Sequence, residues 1–424
     1  MGLKEKFFTE KQPTEEQLAT SYRYVVAANV TCNAIFALGT GNFLMGYLAW
    51  MGASPAFSAR VGALPLLGCV LQAVSPFFFE RLRHRKLPIV LMCFTFRFLM
   101  GTAAVVPFLF RSGTARQTAV FALYFVAFLV AGFVTPGMNQ WLLGSAPMKD
   151  RGRFFAKRNT VSSLFNAGLT FSMGLAVDYL AGRGQAQAGY CIVFGTVMLL
   201  AVADAWMLAN VHESPAEKVL YLKSRDFLRP FRDAVYRPVI LFDTLWFMAN
   251  NFSAAFLPVY LLQGLGLSHS YISALVIVST VVGMACNWIW GRLADRAGWR
   301  AVLVAASALA CCGYVGWFFV TPAAAVFAVP VVQCVATAGT SASGMAILNL
   351  EYITSPKEGK TMYLGAVAVV ANLTGYVAAL AASALQAALE PGAGVERSIS
   401  VLFALSAAGM LACLWHARRN LPKL

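Results

Sequence analysis

Hydrophobic positions in this chain do not alternate with polar ones. They gather in runs of about twenty residues or more, closed off by charged or Gly- and Pro-rich punctuation. The runs predict helices near residues 24–50, 57–79, 87–110, 118–146, 159–181 and 190–211, and again near 238–262, 271–290, 301–320, 325–350, 361–388 and 397–416. A bilayer core takes roughly 20 apolar residues per crossing helix, so every run is long enough to span. His212–Arg237 is the longest polar stretch after the N-terminal tail, and it carries Glu213, Glu217, Lys218, Lys223, Arg225, Asp226, Arg229, Arg232 and Asp233. The predicted organisation is a tail over 1–23, a six-helix bundle over 24–211, a loop over 212–237, a second six-helix bundle over 238–416 and a tail over 417–424.

The halves also repeat. At an offset of 215 residues Gly68 meets Gly283, Gln72 meets Asn287 and Glu80-Arg81 meets Asp295-Arg296; at an offset of 209, Pro147 meets Pro356 and Arg151 meets Lys360. Transporter folds are often built from such repeats, with the substrate site between them. The fold class that follows is an all-α integral membrane protein with about 12 transmembrane helices in two pseudo-symmetric six-helix bundles.

Composition sharpens this picture. Of 424 residues, 59% are hydrophobic and 12% charged, with a mean hydropathy of +0.66. A soluble domain carries about 25% charged residues, so an ordinary soluble enzyme is excluded. The net charge of +15 would point to nucleic acid in a soluble protein, but the basic residues sit in short loops. Of 33 Lys and Arg, 27 fall on one side of the predicted membrane, five (Arg60, Arg111, Arg116, Arg183, Arg397) on the other, and Arg97 lies within a span. By the positive-inside rule both termini are cytoplasmic. The charge then reports orientation and contact with anionic membrane lipid, not a nucleic-acid partner. The nine cysteines lie inside apolar runs without metal or disulfide spacing and read as packing residues. The first 22 residues show no apolar signal region with a cleavage site, which predicts a retained tail, and Thr14 and Gln17 have capping-box spacing, which places the first helix start near Glu15. No phosphate loop, zinc spacing or nucleophile elbow is present in the sequence, so no catalytic residue, metal or cofactor is expected.

After the eighth run stands Gly291-Arg292-Leu293-Ala294-Asp295-Arg296-Ala297-Gly298-Trp299-Arg300. This stretch resembles the G-x-x-x-D-R-x-G-x-[RK] loop signature of the major facilitator superfamily. The first-half counterpart is degenerate, with Pro76 where the family has Gly and Glu80, followed by Arg81, where it has Asp. The resemblance implies conformational roles for Glu80, Arg81, Gly291, Asp295 and Arg296: a carboxylate at a helix end that faces a neighbouring helix N-terminus and pairs with Arg holds a gate shut in one state. Asp150-Arg151-Gly152-Arg153 resembles the related R-G-R loop of family members, and it equally fits a solvated basic loop. The fifth run lacks the antiporter signature's G-P pair, and His212-Glu213-Ser214-Pro215 shares only the start of the sugar-porter signature, so neither subfamily is assigned.

Charges inside a span cost roughly 2.5–3.5 kcal/mol on insertion scales and are functional hypotheses by default. Arg97 sits near mid-span in Met92–Leu99. It either binds an anionic group, pairs with a carboxylate whose protonation is coupled to transport, or belongs to a fixed structural ion pair. Asp204 is also deep and is the natural partner, while Asp178 and Asp243 lie nearer the ends of their spans. Asn29 and Asn33, four apart on one helix face, and Asn250 and Asn251 in the corresponding seventh run are candidate substrate contacts, because the resemblance implies that these helices line the central cavity. Asn139, Gln140, Gln333, Asn372 and Tyr376 are further candidates, with Gln72, Trp141 and Asn287 behind them. For each amide the alternative is an ordinary interhelical hydrogen bond. The expected protein is a secondary active transporter in the inner membrane, acting as a single chain by alternating access. It would move a small organic solute, with an organic anion favoured by Arg97, and couple to an ion gradient with the proton as the default. Export of amphipathic compounds and a non-transporting sensor on the same scaffold are the alternatives.

Overall fold

A computed structural model of the chain describes residues 7, 14–79, 81–144, 151–213, 229–356 and 360–422. Among them there is no strand. The helices are α1 (Glu15–Gly39), α2 (Gly41–Trp50), α3 (Pro55–Gly62), α4 (Leu64–Val70), α5 (Ser75–Phe79), α6 (Lys86–Gly101), α7 (Val106–Leu109), α8 (Gly113–Gly144), α9 (Arg151–Gly182), α10 (Ala186–Ala209), α11 (Arg237–Ala254), α12 (Leu257–Val259), α13 (His269–Phe319), α14 (Ala325–Thr354) and α15 (Lys360–Asn420). Helix α1 begins at the expected capping box: Gln17 N–H donates to Thr14 Oγ1 at 3.3 Å and Thr14 N–H to Gln17 Oε1 at 3.0 Å.

Among the described residues, ten helical stretches are long and apolar enough to cross a membrane. Two of them, α13 and most of α15, are each a pair of helices joined at a glycine, with φ 78° at Gly298 and 77° at Gly394. Separated there, they restore the twelve predicted helices. A left-handed φ carries a steric penalty for any residue with a Cβ, which explains the second glycine of the Gly291–Arg300 stretch. That stretch was expected to be a loop. Its first seven residues are instead helical, because Arg, Leu and Ala sustain a helix until Gly298 breaks it. Helix α9 likewise starts at Arg151, eight residues before the predicted 159, so the basic Arg151–Arg158 stretch is helix and not loop.

The chain forms two compact units: Met1–Ala53 with Leu71–Leu222, and Ser54–Val70 with Lys223–Leu424. In the first, α10 packs on α6, α1 and α9, and α8 packs on α6. In the second, α15 packs along α11 and α13, and α13 along α14. Helices α3 and α4 also lie on α15, which is why these first-half residues group with second-half helices.

The repeat seen in the sequence returns as a repeat of contacts. In the first unit the Tyr47 hydroxyl donates to Ala103 O at 2.7 Å and its ring lies 4.9 Å from Phe194. In the second, the Tyr260 hydroxyl donates to Val320 O at 2.7 Å and its ring lies 5.3 Å from Phe403. Each tyrosine follows the first long helix of its half and satisfies a carbonyl released where the third one ends. In a bilayer such a carbonyl has no water to turn to. The break in the first span at Thr40 is handled the same way, by the Tyr124 hydroxyl on Gly39 O at 2.6 Å.

Gly101 closes α6 against α10. A Cβ there would meet Met198 N at 2.7 Å and Met198 Cα at 3.0 Å, both backbone atoms that cannot rotate away. A Cβ on Gly291 would meet open space. Gly101→Ala should therefore destabilise the protein by about 1–3 kcal/mol, the usual cost of overpacking. Gly291→Ala should leave it unchanged or raise stability by up to about 1 kcal/mol. Thermal unfolding of the two variants in detergent, side by side, checks this.

Candidate functional site

Helix α6 buries Lys86, Ile89, Val90, Cys93, Phe96, Arg97, Met100 and Gly101, the spacing of a helix packed along one face. Arg97 lies on that face and is 1% exposed; Asp204, on α10, is 0% exposed. The two form an ion pair between Arg97 Nη1 and Asp204 Oδ2. Thr31 on α1 donates its hydroxyl to Asp204 Oδ1 at 2.8 Å, so three helices meet at one carboxylate. The close approach at Gly101 brings α6 near enough to α10 for the pair to form. The other end of α6 is held by Glu213: its Oε1 accepts the backbone N–H groups of Arg85 at 2.5 Å and Lys86 at 2.9 Å, a carboxylate on the positive end of the helix dipole.

The rest of the Arg97 guanidinium is poorly satisfied. Nη2 donates to Cys32 Sγ at 3.2 Å and reaches Met138 Sδ at 3.8 Å, both weak acceptors. Nε is buried without any hydrogen-bond partner. Nε and Nη2 share one edge of the guanidinium, the fork that a carboxylate or phosphate engages with two oxygens. The group also lies 5.0 Å from the Phe96 ring centroid, a cation–π contact.

Beside this edge lies a cavity of about 180 Å³, lined by Val25, Ala28, Asn29, Cys32, Arg97, Met138, Asn139, Leu142, Arg158 and Leu208. It is smaller than the pockets of about 300–1,000 Å³ that hold drug-sized ligands. Asn29 Nδ2 is a second buried donor without a partner. The lining thus combines a guanidinium edge and an amide donor in apolar surroundings, which suits an anionic or strongly accepting group on a small solute.

The predicted site residues divide. Asn29, Arg97 and Asn139 line the cavity, and Asp204 stands behind Arg97. Asn33 instead donates to Ser162 Oγ at 2.9 Å, tying α1 to α9, and Gln140 Oε1 accepts from Arg85 Nη1 at 2.5 Å. In the second unit Asn250 Oδ1 accepts the Tyr314 hydroxyl at 2.8 Å, while Asn251 and Asn372 donate to carbonyls of their own helices, Phe247 O at 2.9 Å and Ala368 O at 2.7 Å. Gln333 Nε2 donates to Thr337 Oγ1 at 3.4 Å, and Tyr376 lies within electrostatic reach of Arg60. Asp295 and Arg296 are exposed, and Asp295 has no hydrogen bond or ion pair among the described residues. Elsewhere in the motif, Arg292 lies 3.5 Å from the Trp288 ring centroid. Arg300 donates to Ala417 O at 3.1 Å and to Arg418 O, covering carbonyls near the C-terminus of α15. Arg81 is exposed. Glu80 and the side chains of Arg151 and Arg153 lie outside the described residues.

Four site residues escaped the sequence reading: Thr31, Cys32, Met138 and Arg158. Cys and Met carry no polar signal in an apolar run. Arg158 passed as a loop charge because α9 was expected to start later. The Asn29 face was also misjudged: the cavity uses residues 25, 28, 29 and 32 of α1, and Asn33, about 100° beyond Cys32, turns to α9.

Among the described residues, twelve apolar helices long enough to cross a bilayer, with a charged cleft inside one unit, define a multi-pass membrane protein. The chain belongs to the Major Facilitator Superfamily, whose family model matches residues 30–379. Solved structures agree on the fold. A D-xylose-proton symporter superposes with a TM-score of 0.70 at 14% identity, covering 96% of this chain and 98% of that one. A mutant of the nucleoside transporter NupG gives 0.71 at 10% identity over 94% and 99%. An autoinhibited POT family peptide transporter gives 0.71 at 14% over 94% and 97%. No curated protein gives a significant match.

Removing one partner of the ion pair leaves the other charge buried alone. Arg97→Gln or Asp204→Asn alone should each cost about 3–5 kcal/mol, whereas the double variant should cost clearly less than the sum. A double-mutant cycle by thermal unfolding reads this coupling directly.

Proposed function

We propose that this protein is a secondary active transporter that moves a small organic anion across the cytoplasmic membrane by alternating access, with both termini cytoplasmic and a proton gradient as the driving force. The observation that carries the reading is the Nε–Nη2 edge of Arg97, buried beside a cavity yet facing only sulfur atoms. An entering carboxylate would exchange weak sulfur contacts for two charge-assisted hydrogen bonds, while Asp204 and Thr31 keep the guanidinium in place from behind. Asn29 supplies a donor to the same group or its neighbour. Protonation of Asp204 would release Arg97 from its internal partner and strengthen its hold on the anion, which ties anion binding to the proton. The motif residues Asp295 and Arg296, with Glu80, Arg81, Arg151 and Arg153, serve the conformational change rather than the substrate.

The pseudo-repeat gives independent support. The offset of 217 that carries Ala103 to Val320 carries Arg97 to Tyr314, and there a neutral hydroxyl bonded to Asn250 fills the equivalent place. The second unit therefore packs without a charge at this position. A buried ion pair is a weak source of stability, so a charge kept in one half alone points to use.

A stability screen with small carboxylates, sugars, amino acids and lipophilic cations tests this. An anion at about 100 times its dissociation constant should stabilise the protein by roughly 2.7 kcal/mol. Arg97→Lys, which keeps the charge but loses the fork, should weaken that response, and the Arg97→Gln/Asp204→Asn double variant should abolish it. Stabilisation by lipophilic cations alone, or by anions equally in all variants, would remove the reading.

A further inference from the structure

The first unit carries an apolar groove that the Arg97 site does not use. It holds about 570 Å³ and lies between α8 and the stretch that ends the third span, from Leu99 to Phe110. Helix α8 lines it with Ala119, Ala122, Leu123 and Val126, which share one face. The single hydroxyl in the lining, on Thr102, donates to Leu99 O at 2.6 Å, so no polar side-chain group is left for a ligand along its length. Leu109 and Phe110, at one end, are 70% and 39% exposed, and Ala122 on the opposite wall is exposed as well.

The groove comes from chain length. Ala103 and Val320 are equivalent positions, each accepting a tyrosine hydroxyl where a third span ends. From Val320 the chain soon reaches α14 at Ala325, but from Ala103 it takes twice as many residues to reach α8 at Gly113. The added length forms a further turn and the short helix α7, whose side chains build one wall of the groove. The second unit has no counterpart of these added residues, so the groove belongs to one half alone.

Two arginines stand at the α7 end. Arg116 donates through Nε to Phe110 O at 2.8 Å and through Nη2 to Pro107 O at 3.2 Å, which holds its guanidinium at the end of the groove and leaves Nη1 without a hydrogen bond among the described residues. Arg111 follows Phe110 in the chain and is exposed. Neither arginine has an ion-pair partner among the described residues. At about 1.5 Å per residue, Leu99 to Phe110 spans roughly 16 Å, close to the depth of one leaflet in a hydrocarbon core of about 30 Å. An apolar slot one leaflet deep, with two cations where the spans leave the membrane, matches a phospholipid in both shape and charge.

We propose that this groove holds one acyl chain of an anionic phospholipid, with the lipid phosphate resting on Arg111 and on Nη1 of Arg116. The site is separate from the Arg97 cavity and does not depend on what that cavity binds. A seated chain fills the gap between α8 and the end of the span that carries Arg97, so the lipid braces that span from its far side.

Photolabelling of the full-length protein in phosphatidylcholine vesicles tests the site. The probe is a trace of phosphatidylglycerol with a diazirine on its acyl chain, and adducts are mapped by mass spectrometry. Labelling should concentrate on residues 99–110 and 119–126 above the rest of the apolar surface, and a phosphatidylcholine carrying the same chain should label them less. Ala122→Trp, which fills the groove from an exposed position, should abolish the concentration. Arg111→Gln, on an exposed side chain that no fold contact needs, should lower it about fivefold, the usual weight of one basic residue near a membrane surface. Even labelling over the apolar surface, or a pattern unchanged in both variants, would overturn the proposal. A wild-type dimer that Ala122→Trp converts to a monomer would also overturn it, by assigning the face to a second copy of the chain.

Discussion

The Arg97–Asp204 ion pair is the constraint around which the first unit is arranged. Neither charge tolerates the interior of a bilayer alone, so the helices that carry them must approach closely, and the structure shows what that approach requires. Gly101 lets α6 touch the α10 backbone, Glu213 secures the far end of α6, and Thr31 brings α1 to the same carboxylate. Once three helices are pinned at one point, the space left between α1, α6, α8, α9 and α10 is the cavity. The guanidinium is planar with five donors, and a single carboxylate cannot use them all. The unused edge is what makes a structural pair chemically available.

The two halves show how a duplicated architecture separates packing from chemistry. The tyrosine clamps of Tyr47 and Tyr260 repeat nearly unchanged because every half must satisfy its interrupted helices in the same solvent. The charged positions do not repeat. Arg97 has Tyr314 as its counterpart, and the second unit buries its carboxyl groups elsewhere, at Asp243 and Glu351. Shared residues thus follow from the bilayer, and the differing ones mark where the halves have separate tasks.

Much of this was legible in the sequence because a bilayer imposes a coarse rule. Run length gave the helices, and the asymmetry of Lys and Arg gave the expected orientation. Arg97 and Asp204 stood out because a charge in an apolar run has no neutral explanation. The capping box at Thr14 was legible for a local reason, since both of its bonds depend on residues three apart. What stayed hidden depends on rotation about the helix axis and on residues without polar signal. Asn33, Asn251 and Asn372 look like Asn29 in sequence, yet of these four Asn29 alone lines the cavity; the others bond Ser162 or their own backbone. Cys32 and Met138 are ordinary packing residues until a guanidinium lies beside them. Glu351 closes an apolar run and reads as a boundary charge, although its side chain is buried.

The central claim is that the cavity beside Arg97 favours negative charge, and Cys32 offers a reporter inside it. With the other eight of the nine free cysteines replaced, the rate at which Cys32 reacts with an anionic thiol reagent can be compared with that for a cationic reagent of similar size, each scaled to its rate with a free thiol. The account predicts faster labelling by the anionic reagent, with the preference lost in the Arg97→Gln/Asp204→Asn background. Equal rates, or a preference for the cationic reagent in the otherwise native protein, would contradict it.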